Sequence, residues 1–324
     1  MDYTTLGRTG LRVSVAGLGC GGFSRLGLGT GKTEAEAVSL VRRALELGVT
    51  LFDTAAAYGT EGVVGEGLSI VARDKVVITT KANIKRENDR LTAEQVVASL
   101  DNSLKTLRTD YIDVFQLHGL RAADYAYAVE TIVPALKREQ AKGKFRYIGV
   151  TEGAASDHKA EMLQIAVKDD HWDTVMLAFH MMHQHPRKAV LPQTRAKRIG
   201  TLLMFAVRSI FVDPKRVSAA LQDLAKAGLV PQSLADAPEP LGFLIHDGGA
   251  SSLTDAAYRY ARHEPGIDVV LFGTGDTRHM EANVASLLKP PLPKADCQRL
   301  ADLFGHLLGV GLVGSGPAAS PSKA

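Results

Sequence analysis

Four side chains in the first half of the chain have the types and the spacing to move a proton: Asp53, Tyr58, Lys81 and His118. Asp53 follows the short apolar run Thr50-Leu51-Phe52, and Tyr58 comes after the small residues Ala55 to Ala57. Two further runs finish in the same way, Lys75 to Thr80 at Lys81 and Tyr111 to Leu117 at His118. Three successive strand ends therefore each deliver an ionisable group. An aspartate beside Lys81 would keep the ammonium charged, and that ammonium beside Tyr58 would favour phenolate and lower the phenol from its usual value of about 10. Such a phenol is a usable general acid. His118 is then placed to hydrogen-bond the same oxygen that Tyr58 protonates, as a substrate carbonyl requires. The other reading of the Asp–Lys pair is that it only seals the end of a barrel.

Those strand ends need elements to hold them together. Apolar runs near Val15, Thr50, Val76, Tyr111, Tyr147, Thr174, Thr201 and Val269 alternate with segments of helical spacing, which makes eight βα units. Thr33 to Glu36 and Thr92 to Gln95 have the form of capping boxes. Leu40, Val41, Ala44 and Leu45 share one helical face, as do Val97, Leu100, Leu104 and Leu107. Near-continuous Val, Ile and Leu in strands that alternate with helices predict a parallel sheet covered on both faces. Eight units predict closure into a (β/α)8 TIM barrel, with an open doubly wound sheet as the alternative. Neighbouring strands about 4.8 Å apart would bring Asp53, Lys81 and His118 to one pocket.

Tyr3 to Leu6 and Leu11 to Ser14 flank Gly7-Arg8-Thr9-Gly10, an N-terminal β-hairpin closing the barrel bottom. About sixty residues separate the seventh and eighth strands, a long insertion after strand 7 with a helix over residues 217–229 and a loop over 231–240. The division is a barrel over residues 1–308 and a Gly-, Ser-, Pro- and Ala-rich tail over 309–324, expected to be mobile.

With 324 residues, 45% hydrophobic, 23% charged and a formal net charge of +3, the chain has no basic stripe for nucleic acid or for an anionic membrane. A small-molecule ligand is the expected partner, with the protein a monomer or small homo-oligomer. Met1 opens no cationic and apolar leader, no apolar run reaches 18 residues, and the only cysteines are Cys20 and Cys297. These features fit a reducing cytoplasm.

Three motifs suggest other chemistry and fail on context. Gly17 to Gly22 spells a dinucleotide fingerprint, but its helix does not open until Thr33, so the stretch reads as a glycine-rich loop in which Gly21 approaches a ligand closely. Gly31-Lys32-Thr33 lacks the first glycine of a P-loop, since Leu26 stands there. His180, His183 and His185 have no Cys or acid close by to complete a metal set. Lys81 between Asp53 and His118 would repel a cation, so no metal is expected.

The residues resemble the aldo/keto reductases, NADPH-dependent (β/α)8 enzymes whose Asp, Tyr, Lys and His tetrad matches Asp53, Tyr58, Lys81 and His118. The resemblance also covers Leu6 to Ser14, Tyr58-Gly59, Lys144 to Val150, and Gly273-Thr274-Gly275 with Asn283. It implies NADP(H)-dependent, reversible reduction of an aldehyde or ketone to an alcohol without metal. Hydride passes from the nicotinamide to carbon, and Tyr58 protonates the oxygen. A catalytically slow, nucleotide-sensing subunit on the same fold is the alternative.

The resemblance further implies a cofactor site. Thr151, Glu152 and Met176 stand where the family has Ser, Asn and Gln around the nicotinamide carboxamide. Glu152 is expected to accept the amide hydrogens and Thr151 to donate to the amide oxygen, while Met176 offers no equivalent bond. Phe205 matches the ring that stacks on the nicotinamide. Ala206, Val207 and Arg208 begin the loop over the pyrophosphate, Asn283 matches an adenine contact, and Arg278 could meet a 2′-phosphate with Asp276 opposing it.

Overall fold

Helix follows strand eight times around a sheet that meets its own first edge. The structure, a computed structural model, describes residues 1–87 and 89–312. The barrel strands are β1 (Ala16–Gly19), β2 (Leu51–Asp53), β3 (Val77–Asn83), β4 (Ile112–Leu120), β5 (Phe145–Glu152), β6 (Thr174–Ala178), β7 (Gly200–Met204) and β8 (Val269–Phe272). Each pairs in parallel with its sequence neighbours, and β8 pairs with β1 to close the ring. The expected (β/α)8 barrel is therefore the fold, and the open sheet is excluded.

Both capping boxes form. Thr33 and Thr92 accept the backbone N–H of Glu36 and Gln95, whose side chains accept the cap N–H in return. Helix Glu34–Glu46 buries Ala37, Leu40, Val41 and Ala44. Helix Ala93–Leu107 buries Val96, Leu100, Ser103 and Leu107, so its inner face is turned from the expected one and Val96 takes the place of Val97. Adjacent valines leave that choice to the packing, because either can begin a helical stripe.

The N-terminal hairpin pairs Tyr3–Thr5 with Arg12–Ser14. It carries Leu6, Leu11 and Val13 into a cluster with Leu51, Val77, Val114, Met176, Leu202 and Val269, which fills the lower barrel interior. The insertion between β7 and β8 holds helices Ser209–Val212, Pro214–Lys226, Gln232–Ala235 and Leu253–Arg262. Its main helix starts and ends three residues before the expected one, because Asp213 caps it and Pro214 supplies the first turn. The expected loop over 231–240 contains one short helical turn.

Strands three, four and five run beyond their expected ends. Lys81 and His118 lie inside β3 and β4 and Glu152 is the last residue of β5, because the neighbouring strand offers hydrogen-bond partners as far as Asn83↔His118 and Leu120↔Glu152. A second small hairpin, Lys85–Arg86 with Asp89–Arg90, follows β3 and was not expected. Gly309 to Leu312 of the expected tail are packed on the barrel mouth, as described below, and the rest of that tail lies outside the described residues. Among the described residues, no helix is long and apolar enough to cross a membrane.

Candidate active site

Asp53 and Lys81 meet inside the barrel, where Lys81 Nζ donates to Asp53 Oδ2 at 2.7 Å and to the Thr54 carbonyl at 2.8 Å. Lys81 is 1% exposed and Asp53 3%, so neither charge has water as an alternative partner. Burial opposes charge on Lys81, yet Asp53 and Tyr58 more than offset it and hold the ammonium above the ordinary lysine range. Burial likewise lifts the Asp53 carboxyl above its usual range, against the pull of Lys81.

Two residues with no role in the sequence reading complete this pair. Thr79 Oγ1 donates to Asp53 Oδ1 at 3.1 Å, and Gln116 Nε2 donates to Thr79 Oγ1 at 2.6 Å. Each sits two positions before a tetrad member, Thr79 before Lys81 and Gln116 before His118. Strand alternation puts residues two apart on the same face, so a polar side chain two before each strand's ionisable residue was the available signal.

Tyr58 ends a short 3-10 turn, Ala56–Tyr58, whose cap Gly59 adopts a φ of 68°. Its ring lies 5.0 Å from Lys81 Nζ, and its hydroxyl is 3.4 Å from His118 Nε2. The two rings meet edge to face at 5.5 Å. A β-carbon at Gly21 would stand 2.4 Å from the Tyr58 ring, so Gly21 is the space in which the phenol sits. The structure thus places Gly21 behind the Tyr58 ring.

The expected lowering of Tyr58 does not occur. Burial pushes the phenol above its ordinary value and Lys81 only partly opposes this, so the hydroxyl is held protonated. Burial, with Lys81 nearby, lowers His118 to about 4 and keeps its imidazole neutral at neutral pH. A protonated phenol and a neutral imidazole, both only partly buried, face each other above a buried ion pair. That arrangement can give a proton to an oxygen placed between them.

The residues matched to the cofactor, other than Met176, lie at or beyond the C-terminal ends of β1, β5, β7 and β8. Thr151 Oγ1 accepts the N–H of Gly119 at 2.7 Å. Glu152 is 4% exposed, and its Oε1 accepts the N–H of Ala178 at 2.6 Å, tying the end of β5 to β6. Burial lifts its carboxyl to about 8, the Ala178 bond notwithstanding. Glu152 is therefore mostly neutral at pH 7, not the carboxylate that the sequence suggests. Met176 lies in the lower interior cluster with Leu202 and Val114.

Phe205 follows β7 with a φ of 70°, a left-handed conformation that a non-glycine residue adopts only when its surroundings impose it. Arg208 lies over its ring at 4.2 Å. Ala206 is buried and Val207 packs against the main core. Beyond β8, Gly275 lies so close to the β1 loop that a β-carbon would stand 2.8 Å from Gly27 Cα, and Gly273 is similarly near Gly19. Thr274 is buried and accepts the N–H of Asp276.

Asp276 caps helix Thr277–Leu287, accepting the N–H groups of Arg278 and His279, and Arg278 is almost fully exposed with its Nε 3.8 Å from the same carboxylate. Asn283 lies on that helix, partly exposed. A phosphate at this helix start would meet Asp276 as well as Arg278.

The histidines of residues 180–185 take up structural work. His180 and His183 are buried, and His183 Nδ1 accepts the N–H of Gly309 at 3.2 Å. Among the described residues, no three His, Cys, Asp or Glu side chains come together as a metal site.

A model of the aldo/keto reductase family matches residues 17–304. The aldo-keto reductase YhdN of Bacillus subtilis is 28% identical over 300 residues, covering 87% of this chain and 87% of that one. L-galactose dehydrogenase of Arabidopsis thaliana is 36% identical over 157 residues, 47% of this chain and 48% of that protein. Aldo-keto reductase AKR11C1 from Bacillus halodurans, in its holo form, shares the fold with a TM-score of 0.71 at 20% identity, over 94% of this chain and 96% of that one. An aldo/keto reductase from Klebsiella pneumoniae in complex with NADP and acetate does so with a TM-score of 0.67 at 20% identity, over the same shares. The family match takes in all eight barrel strands except the first residue of β1, and on that ground the chain belongs to the aldo/keto reductase family of oxidoreductases.

Proposed function

We propose that the protein reversibly reduces an aldehyde or ketone to an alcohol with NADP(H), with Tyr58 as the proton donor. One observation carries this reading: the protonated Tyr58 hydroxyl and the neutral His118 Nε2, 3.4 Å apart, border the buried Lys81–Asp53 pair. A carbonyl oxygen between them would receive hydrogen bonds from both side chains. As the phenol gives up its proton, the Lys81 ammonium 5.0 Å from the ring stabilises the phenolate left behind. Asp53 holds the ammonium in place, and Thr79 and Gln116 hold Asp53.

The cofactor, when bound, supplies the hydride. Of the residues that would hold it, Phe205 offers a ring face, Thr151 keeps a hydroxyl proton to donate, and Arg208 and Arg278 offer charge toward phosphates. Support for NADP(H) comes from the family and from the NADP complex of the Klebsiella relative. Oxidation of NADPH by micromolar protein with a panel of aldehydes and ketones, followed by loss of the reduced cofactor's absorbance, tests the reading. Catalytic turnover with at least one carbonyl is the expected result.

A second reading, a slow NADP(H)-binding sensor, draws support from the partners that Thr151, Glu152 and Phe205 already have within the chain. Cofactor binding with negligible turnover across the panel would favour it.

A further inference from the structure

Phe205, the ring matched to nicotinamide stacking, packs against a cluster that includes Leu312 from the far end of the described chain. Leu312 is 1% exposed and packs with Ala154, two residues beyond β5, and Ala178, the last residue of β6, with Met204 and Phe205 against the same cluster. Phe205 is the ring matched to nicotinamide stacking, and Ala154 and Ala178 border Glu152 in sequence and by hydrogen bond. An apolar side chain thus sits where the cofactor's reactive ring would lie.

The segment is clamped at three points. Gly309 N–H donates to His183 Nδ1 at 3.2 Å. Arg208, from the loop matched to the pyrophosphate, donates from Nε to the Gly311 carbonyl at 3.2 Å and from Nη2 to the Leu312 carbonyl at 3.0 Å. The same guanidinium lies over Phe205. Arg208 cannot hold these carbonyls and reach a diphosphate at once.

The sequence is shaped for this path. Gly309 and Gly311 adopt φ of 71° and 69°, which favours glycine at both positions, and a β-carbon on Gly309 would stand 2.4 Å from the His158 ring. The family match ends at residue 304, so this segment is a feature of the chain outside the shared barrel.

We infer that residues Gly309–Leu312 form an intramolecular strap that competes with the nicotinamide end of the cofactor, so that cofactor binds only the fraction of molecules from which Leu312 has withdrawn. This rests on the proposed NADP(H) reading. Apparent affinity is the intrinsic affinity multiplied by the open fraction, and an open fraction of about one tenth weakens binding about tenfold. The strap also links release of Arg208 to cofactor entry, since both follow from one displacement.

The test titrates NADPH and NADP+ by protein fluorescence into the full chain, into Leu312→Ala and into a chain ending at Leu308. Hydrogen exchange of the full chain is followed with and without NADPH. The strap predicts dissociation constants about tenfold lower in both variants, faster association, and faster exchange of the Val310, Gly311 and Leu312 amides when NADPH binds the full chain. Binding by the truncated chain alone supports it too. Unchanged or weaker binding by the variants, or protection of those amides by NADPH, overturns the strap and leaves the cofactor reading intact. Failure of all three proteins to bind either cofactor at millimolar concentration overturns both. If the truncated chain does not fold, Leu312→Ala and the exchange data on the full chain decide.

Discussion

Replacing Glu152 by glutamine removes one ionisable proton while keeping an oxygen to accept the Ala178 N–H, which Glu152 Oε1 takes at 2.6 Å. Burial raises the carboxyl from 4.5 to about 8, with Ala178 opposing and Asp157 adding to the rise. A folded-state value above the unfolded one means that the folded protein prefers the neutral acid. The associated stability is fully present below pH 4.5 and is lost as pH rises through about 8. Each tenfold change in proton affinity is worth about 1.4 kcal/mol, so the whole span corresponds to roughly 5 kcal/mol, of which roughly 3 to 4 kcal/mol falls between pH 5 and pH 8. Glu152→Gln lacks this dependence. Urea unfolding of both proteins at pH 5, 6.5 and 8 should show wild type losing that much relative to the variant. Parallel stability profiles would refute the argument, because they would mean that Glu152 ionises with ordinary ease in the folded protein. Cofactor titrations supply a second readout. A positively charged oxidised nicotinamide near a neutral Glu152 draws its proton off, so NADP+ should bind wild type more tightly as pH rises toward 8 and bind the variant with a flatter profile.

Tyr58→Phe should fold and bind cofactor as wild type does while kcat falls by about a hundredfold or more, and wild-type turnover would remove Tyr58 from the reaction. Lys81→Met should lower kcat as well, and it leaves Asp53 buried without its ion partner, so a thermal melt should show a loss of roughly 3 to 5 kcal/mol that Tyr58→Phe does not share. The protein should prefer NADP(H) to NAD(H), and Asp276→Ser, which keeps a helix cap while removing the carboxylate beside Arg278, should widen that preference severalfold. Equal dissociation constants for the two cofactors in both proteins would show that this helix start reads no phosphate.

The grouping of Asp53, Lys81 and His118 was legible because each stands at the end of an apolar β run, with Tyr58 a few residues beyond the first, and eight such runs with helical spacing between them permit few folds other than a barrel. Strand ends were less legible. Whether β3 stops at Thr80 or runs to Asn83 depends on what β4 offers across the ladder, and a local apolar run carries no record of its neighbour. Tyr58 shows the same limit in electrostatics: the sequence placed the ammonium beside the phenol, but the burial that outweighs it is a property of the assembled mouth. Glu152 is a similar case, since its acidity depends on Ala178 and on the water excluded around both. The strap was hidden by composition, because a tail rich in glycine and serine gives no sign that Gly309 and Gly311 set a path for one buried leucine.

The hairpin at the barrel bottom bears on the order in which the chain can assemble. Arg8 N–H donates to the Arg198 carbonyl, and a β-carbon at Gly7 would stand 2.2 Å from Gly200 N, so the turn fits only against the start of β7. Partners this distant in sequence must wait for the intervening strands, because closing so long a loop costs entropy before any contact repays it. Leu6, Leu11 and Val13 then dock on a floor that the strands have already laid. The hairpin residues are thus expected among the last to find their place, and until they do the lower interior of the barrel stands open to water.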